Sequence, residues 1–284
     1  MALNLESVGS STAPQLVSWD SRDVMLYALG VGAGQADPAR ELSFTTENSE
    51  GHTQRVLPSY GAIITDFLAT EWVDVGEFNE EMLVHAEQRL EVFGELPVAG
   101  QAEVVTTVDG IYDKGSGALV VTTAIARDPH TGAEMVRSTA SQFIRGEGGF
   151  GVTGPKASWE RPERDPDCRI TVGVREDQAL IYRLSGDRNP LHSDPAYAAL
   201  AGFPRPILHG MCSYGITARL LLNAYCDGDP GRFRSLDARF SAPVYPGDEL
   251  TVEVWALGDG ELRFVVRRGG GEVVLDRGRF GFTG

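Results

Sequence analysis

The sequence predicts an α+β fold laid down twice in one chain, each copy an antiparallel sheet with a helix covering its buried face. Three observations carry that reading. Residues 145–168 concentrate Gly146, Gly148, Gly149, Gly151, Gly154, Pro155, Pro162 and Pro166, a density that marks a linker. The segments on either side repeat one another in the order helix, loop, helix, then several antiparallel strands. Both copies end in apolar/polar alternation, and a sheet with one buried face needs a filler, for which a single long helix is the natural choice. The expected division is residues 1–150, a linker at 151–165, and residues 166–284, each half near the ~100–150 residues of an average domain.

The elements follow in order. Arg22-Asp23-Val24-Met25-Leu26-Tyr27-Ala28-Leu29 parallels Asp177-Gln178-Ala179-Leu180-Ile181-Tyr182-Arg183-Leu184, and both read as amphipathic helices with an acidic first turn. Asp37-Pro38-Ala39 then parallels Asp194-Pro195-Ala196, and Val84-His85-Ala86 answers Leu208-His209-Gly210. Ile207-Leu208-His209-Gly210 opens a segment in which Met211, Tyr214, Ala218, Leu221 and Tyr225 recur at helical spacing. Leu96-Pro97-Val98-Ala99-Gly100 answers Pro243-Val244-Tyr245-Pro246-Gly247, and each leads into a strand, at Glu103 to Val108 and at Leu250 to Trp255.

Composition excludes several classes. With 42% hydrophobic and 23% charged residues the chain reads as an ordinary globular protein. No apolar run approaches the ~18 residues of a membrane span. A formal charge of −15 argues against nonspecific binding to nucleic acid or anionic membrane, both of which need a basic surface. Met1-Ala2-Leu3-Asn4-Leu5-Glu6 lacks the basic and apolar regions of a secretion signal, and Phe280-Gly281-Phe282-Thr283-Gly284 is not a peroxisomal address. Cys168, Cys212 and Cys226 form an odd, scattered set without a disulfide framework, so a reducing cytoplasm is the expected home.

The chemistry concentrates in residues 182–197. Asp187 and His192 bracket Asn189-Pro190, where the proline ring forces its predecessor out of helix and lets two titratable side chains converge. Gly210, at the start of the long helix, leaves bare N–H groups that favour developing negative charge. Aligning Tyr27 with Tyr182 sets Gly32 opposite Asp187 and Gly34 opposite Asn189 and leaves nothing opposite His192, so one active site per chain is expected, in the second half. Taken alone, Asp187-Asn189-Pro190 reads as a turn; its loss in the other copy, with His192 and Gly210 nearby, favours catalysis. His209 has an apparent counterpart in His85, where no acid/base pair exists, and that symmetry points to a helix-capping or packing role. His52 and His130 sit in polar loops and carry no signal. No zinc-ligand spacing is present, so no metal is expected. Gly30-Val31-Gly32-Ala33-Gly34 follows a helix, not a strand, and so lacks a dinucleotide context. Cys212 reads as a buried apolar residue in preference to an activated thiol.

Tyr182, Ser185-Gly186-Asp187, Asn189-Pro190-Leu191-His192 and Leu208-His209-Gly210 together resemble the signature of the MaoC-like, (R)-specific 2-enoyl-CoA hydratase (hydratase 2) family. Tyr27-Ala28-Leu29-Gly30-Val31-Gly32, Val84-His85-Ala86-Glu87-Gln88, Ile111-Tyr112-Asp113-Lys114-Gly115 and Phe143-Ile144-Arg145-Gly146 resemble the first half of its two-domain members. The resemblance implies a tandem hot dog fold, each half a curved antiparallel sheet around a central helix, with the shortened first copy leaving room for a long acyl chain. It implies Asp187 and His192 as the acid/base pair, Gly210 as oxyanion donor, and Asn189 as orienting Asp187 or the substrate. It also implies substrate contacts at His85, Ala86 and Lys114 from the first half, and at Arg188, Pro190, Leu191 and Phe240 from the second.

The implied reaction is reversible hydration of a trans-2-enoyl-CoA to the (3R)-3-hydroxyacyl-CoA, with an acyl-CoA as substrate and no cofactor. A 3-hydroxyacyl-thioester dehydratase in lipid or polyketide assembly, a hot dog thioesterase and a noncatalytic acyl-thioester binding module are the alternatives. The module is disfavoured because Asp187, Asn189, His192 and Gly210 are all present. Because CoA is anionic, it must dock on local cations, for which Lys114, Arg205, Arg232, Arg234 and Arg239 lie near the motifs. A homodimer is the one protein assembly left open.

Overall fold

The computed structural model describes residues 3–155 and 158–284; residues 1–2 and 156–157, part of the chain start and of the linker read above, lie outside the described residues. Each half opens on a strand, where the sequence pattern suggested a helix. β1 (Gln15–Trp19) precedes α1 (Ser21–Gly30), and β6 (Cys168–Gly173) precedes α4 (Gln178–Tyr182). β6 does alternate, with Cys168, Ile170 and Val172 half-buried and Arg169 and Thr171 exposed, but it directly follows the glycine- and proline-rich run that masks it. α1 is fixed by a capping box: the Asp20 carboxylate accepts from the Arg22 and Asp23 N–H groups, and the Asp23 carboxylate accepts from the Asp20 N–H. α4 is only five residues long and Asp177, at its N-cap, makes no side-chain cap, so the acidic first turn expected there is not formed.

α2 (Leu42–Thr45) is a single turn entered from Glu41, held at φ 59°. The helix filling the first half is broken: a 3-10 turn at Pro58–Tyr60, α3 (Gly61–Ile63) and a π turn at Ile64–Leu68. Thr65 Oγ1 bonds back to the Gly61 carbonyl at 3.1 Å, a contact that bends helices. In the second half, α5 (Pro195–Leu200), capped by Asp194, leads to α6 (Gly210–Tyr225), the one long helix among the described residues. Met211, Tyr214, Ala218 and Leu221 are buried on it, as their spacing predicts.

β2 (Leu83–Val92), β3 (Gly100–Asp113), β4 (Gly117–Arg127), β5 (Glu134–Arg145), β7 (Phe233–Phe240), β8 (Glu249–Gly258), β9 (Glu261–Arg268) and β10 (Glu272–Phe282) complete the structure. All ten strands form one antiparallel sheet in the order β1-β3-β4-β5-β2-β7-β10-β9-β8-β6. The order is a palindrome of the two copies: β1, β3, β4, β5 and β2 mirror β6, β8, β9, β10 and β7. This is a duplicated hot dog fold, its halves joined at the β2–β7 seam, where Leu90 lies opposite Leu236 and Gln88 opposite Ala238.

That symmetry corrects one alignment. Val84-His85-Ala86 lies on β2, whose mirror is β7, so it is not the counterpart of Leu208-His209-Gly210. The mirror of α6 is the broken helix of residues 58–68, and Ser59-Tyr60-Gly61 answers Ser213-Tyr214-Gly215, with both tyrosines buried. α1 and α4 do pair as expected, Tyr27 and Tyr182 meeting with ring centroids 6.1 Å apart. A Cβ on Gly215 would lie 2.5 Å from Val31 Cγ1 and 2.7 Å from Tyr27 Oη, so α6 needs glycine where the end of α1 closes on it.

Candidate active site

The loop after α4 is shaped by contact with the other half. A Cβ on Gly186, which has φ 140°, would lie 2.6 Å from Phe67 Cβ, so only glycine lets the broken helix reach this loop. Asp187 follows, and its Oδ1 accepts the Asn189 N–H at 3.1 Å. Asn189 Oδ1 accepts the Leu191 N–H at 3.0 Å and caps the 3-10 turn Pro190–His192. Asn189 therefore orients Asp187 through its backbone, while its side chain holds the turn. His192 Nδ1 lies 2.9 Å from the Ile207 carbonyl, which can only accept, so Nδ1 carries the proton and Nε2 presents a lone pair. That Nε2 stands 3.9 Å from Asp187 Oδ2. Two acceptors at that separation do not bond each other, but they can share one water between them.

His209 does not cap α6; its side chain makes no cap bond. Its ring stacks on His192 with centroids 3.8 Å apart, and its Nε2 donates to the Asp187 carbonyl at 3.1 Å. It is therefore a packing residue, but one built into the pair, tying both Asp187 and His192 to the start of α6. Burial pushes the His209 pKa down to about 3 and lowers that of His192 below the ordinary histidine value, so both rings are neutral near neutral pH. Cys212, also on α6, is buried and its thiol raised by burial, which fits its reading as a small apolar residue.

At the start of α6 the Cys212 and Ser213 N–H groups both turn back to the His209 carbonyl. The Gly210 N–H lies ahead of that turn and has no helical acceptor. The Phe240 ring covers it from β7, 3.1 Å from where a Gly210 Cβ would stand. His85 packs on the other side of Phe240, with ring centroids 4.8 Å apart. It sits at a bulge in β2, where the register with β5 shifts between His85 and Glu87, leaving Ala86 as the extra residue. Bulges re-aim side chains in this way beside functional sites. Burial lowers the His85 pKa to about 4, and its Nε2 is enclosed without a partner.

Asp187, His192, Gly210, Phe240 and His85 are thus brought together across the seam. Arg188 and Pro190 are exposed, and Leu191 half-buried, on the same loop. Lys114 stands apart on the β3–β4 turn, with β4 and β5 between it and β2. Its Nζ lies 6.0 Å from the Tyr112 ring centroid, and it forms no ion pair among the described residues. Among the other cations, Arg232 is taken by Asp227 at 2.8 Å and by the Thr283 carbonyl, and Arg234 by the Gly231 and Phe233 carbonyls. Arg205 stacks on Tyr245, and Arg239 lies on β7 opposite Glu87.

The first copy holds no such pair. Its corresponding loop, with Gly32 at φ 80°, borders a cleft of about 580 Å³ in which Arg219 donates to the Val31 carbonyl at 2.9 Å and to Glu41 at 2.8 Å.

Asp187, His192 and His209 place ligand-type atoms within 4.8 Å of one another. The two imidazoles are stacked with 28° between their planes, and lone pairs lie in the ring plane, so they point side by side and do not converge on one ion.

Residues 17–146 match the MFE-2 hydratase 2 N-terminal domain and residues 158–274 the MaoC like domain. Over 98% of both chains the protein is 45% identical to 3-hydroxyacyl-thioester dehydratase Y of Mycobacterium tuberculosis, and over 90% of both it is 42% identical to enoyl-CoA hydratase ChsH3 of the same organism. The crystal structure of a MaoC-like dehydratase from Phytophthora capsici superimposes with a TM-score of 0.88 at 32% identity, covering 99% of this chain and 98% of that one. The chain belongs to the MaoC-like, two-domain hydratase 2 family, and as such it is a hydro-lyase.

Sequence reasoning missed the part of the first half that meets this site. Phe67, with Asp66 beside it, lies on a helix that the pattern did not reveal, although the shared Ser-Tyr-Gly would have located it.

Proposed function

We propose that the protein is an (R)-specific 2-enoyl-CoA hydratase that adds water reversibly to a trans-2-enoyl-CoA. The observation that carries this is the 3.9 Å gap between the His192 Nε2 lone pair and the Asp187 carboxylate, set beside the unpaired Gly210 N–H. A water held in that gap loses a proton to the pair as its oxygen attacks C3, and a proton returns from the pair to C2 on the same face. The thioester oxygen gains charge meanwhile and is met by the Gly210 N–H at the positive end of α6. Atoms balance with water alone, so no cofactor is consumed. The (3R) configuration follows the family, and enantioselective chromatography of the hydrated product tests it alongside the loss of enoyl absorbance.

The thioester dehydratase among the relatives supports the same chemistry run in reverse, on a 3-hydroxyacyl chain carried by CoA or by a protein. A site that binds without reacting is disfavoured by the aligned pair. A thioesterase would release free thiol, so a thiol assay on the same mixture separates it. Three cysteines without a disulfide favour a cytoplasmic setting, and no helix among the described residues is long and apolar enough to cross a membrane. The proposed partners are an acyl-CoA and a second copy of the chain, the latter tested by sedimentation.

Two expectations follow here. Because His192 must be neutral to take a proton, and burial lowers its pKa, the acid limb of kcat/KM is expected below the ordinary histidine value of ~6.5. The sign is fixed: a lowered pKa keeps the base form as pH falls, and activity is lost only once pH passes below it. A limb above that value would assign the base to another group. Lys114→Ala is expected to raise KM for CoA thioesters more than it lowers kcat, since a remote ionic contact made in ground and transition state alike is uniform binding. A pantetheine thioester, lacking the nucleotide, should be indifferent to it. Equal losses with both substrates would remove Lys114 from the nucleotide site.

A further inference from the structure

A second carboxylate, Asp66, stands near the pair and is unused by the reaction. It is wholly enclosed by protein yet keeps some accessible surface, and so does His85, as expected of side chains that line an internal crevice. Its neighbour Phe67 touches Gly186, the residue before Asp187. From the other side, contacts run from Gly210 to Phe240 to His85, and the Gln88 side chain then lies against His85. Gln88 is 1% exposed, and its Nε2 donates to Asp66 Oδ2 at 3.1 Å and to Ser138 Oγ at 2.6 Å. Ser138 in turn donates its hydroxyl proton to Asp66 at 3.2 Å.

Counting donors and acceptors shows what is missing. Both Gln88 N–H bonds and the Ser138 O–H are spent inside the group. Left over are Asp66 lone pairs and Gln88 Oε1, which is buried without any partner. Reversing the Gln88 amide would set its oxygen against the carboxylate, so the network fixes the orientation. Burial raises the Asp66 pKa to about 6, which leaves it largely ionised at neutral pH, still an acceptor. The cluster therefore lacks a hydrogen-bond donor. A keto oxygen would add one more acceptor, and a carboxylate would meet like charge. A hydroxyl fits. The CoA moiety must leave toward solvent past the exposed Arg188 and Pro190, so the enclosed end of the crevice at Asp66 belongs to the acyl group.

We propose that Asp66, Gln88 and Ser138 form a polar subsite at the inner end of the acyl crevice that takes a hydroxyl carried on the acyl chain, beyond the carbons that react. The assignment rests on the hydratase reading above. Its test pairs each plain medium-chain trans-2-enoyl-CoA with its terminally hydroxylated form and compares kcat/KM, each value divided by that of crotonyl-CoA on the same protein so that losses common to all substrates cancel. At the chain length that reaches the cluster, the wild type should favour the hydroxylated form by ~10-fold, a hydrogen bond to a charged acceptor being the difference. Asp66→Leu should abolish or reverse that preference, and Ser138→Ala should weaken it. Ser138→Ala, the smaller change, carries the test if Asp66→Leu does not fold. A wild type that prefers the plain chain at every length would mean that the cluster holds only water, and the proposal is overturned. An unchanged ratio in both variants overturns it equally. If no thioester is hydrated at all, crotonyl-CoA included, the hydratase reading fails first and the subsite with it.

Discussion

Asp187→Asn and His192→Asn are each expected to lower kcat by at least ~10², the lower end of what a positioned general acid or base contributes. Both substitutions are chosen to spare the scaffold. Asparagine at 187 keeps an oxygen for the Asn189 N–H, now 3.1 Å from Oδ1, and removes only the ionisable group. Asparagine at 192 places its amide nitrogen near the position of Nδ1, where it can still donate to the Ile207 carbonyl, and deletes the Nε2 lone pair that faces Asp187. Because the two groups act on one water, the double variant should lose far less than the product of the single losses. Initial rates of enoyl-CoA absorbance loss give kcat, and near-ultraviolet circular dichroism checks that the stacked His192–His209 core remains packed. A single variant within a few-fold of wild type, well folded, would falsify the assignment of that residue to proton transfer.

The reacting half of the site was legible because its parts are local in sequence. Asp187, Asn189, Pro190 and His192 share one turn, and the periodicity of Met211, Tyr214, Ala218 and Leu221 fixed the helix that Gly210 opens. The duplication was legible in Tyr27 and Tyr182, which do face each other. What escaped was the part supplied from elsewhere. Pro58, Gly61 and the β-branched run Ile63-Ile64-Thr65 break the first half's helix into 3-10, α and π turns, so no single period marks it. Without that helix as an anchor, His85 was set against His209, when it belongs to a seam strand whose role depends on pairing with β7. The Asp66, Gln88 and Ser138 bonds join residues 22, 50 and 72 positions apart, beyond any local pattern.

Gly210→Pro is expected to lower kcat by ~10²–10³, the usual consequence of removing one oxyanion donor, while Gly210→Ala should lose far less. Proline is the informative replacement because the site already suits it. Position 210 is the first residue of α6, where a missing N–H leaves no helical bond unmade and where proline is favoured. The residue before it, His209, has ψ 134°, inside the extended range that proline imposes on its predecessor. Its N–H is therefore deleted with the helix intact. Alanine is the control for bulk. Its Cβ would stand 3.1 Å from Phe240 Cδ1 and 3.2 Å from Cε1, a contact the ring can relieve by shifting a few tenths of an ångström toward His85. Both variants share that crowding, but only proline loses the donor. The difference between them in kcat, with KM for crotonyl-CoA following separately, isolates the hydrogen bond. Equal activity in the two would show that the thioester oxygen is stabilised by another group, and the nearest enclosed polar atom without a partner on that side is His85 Nε2.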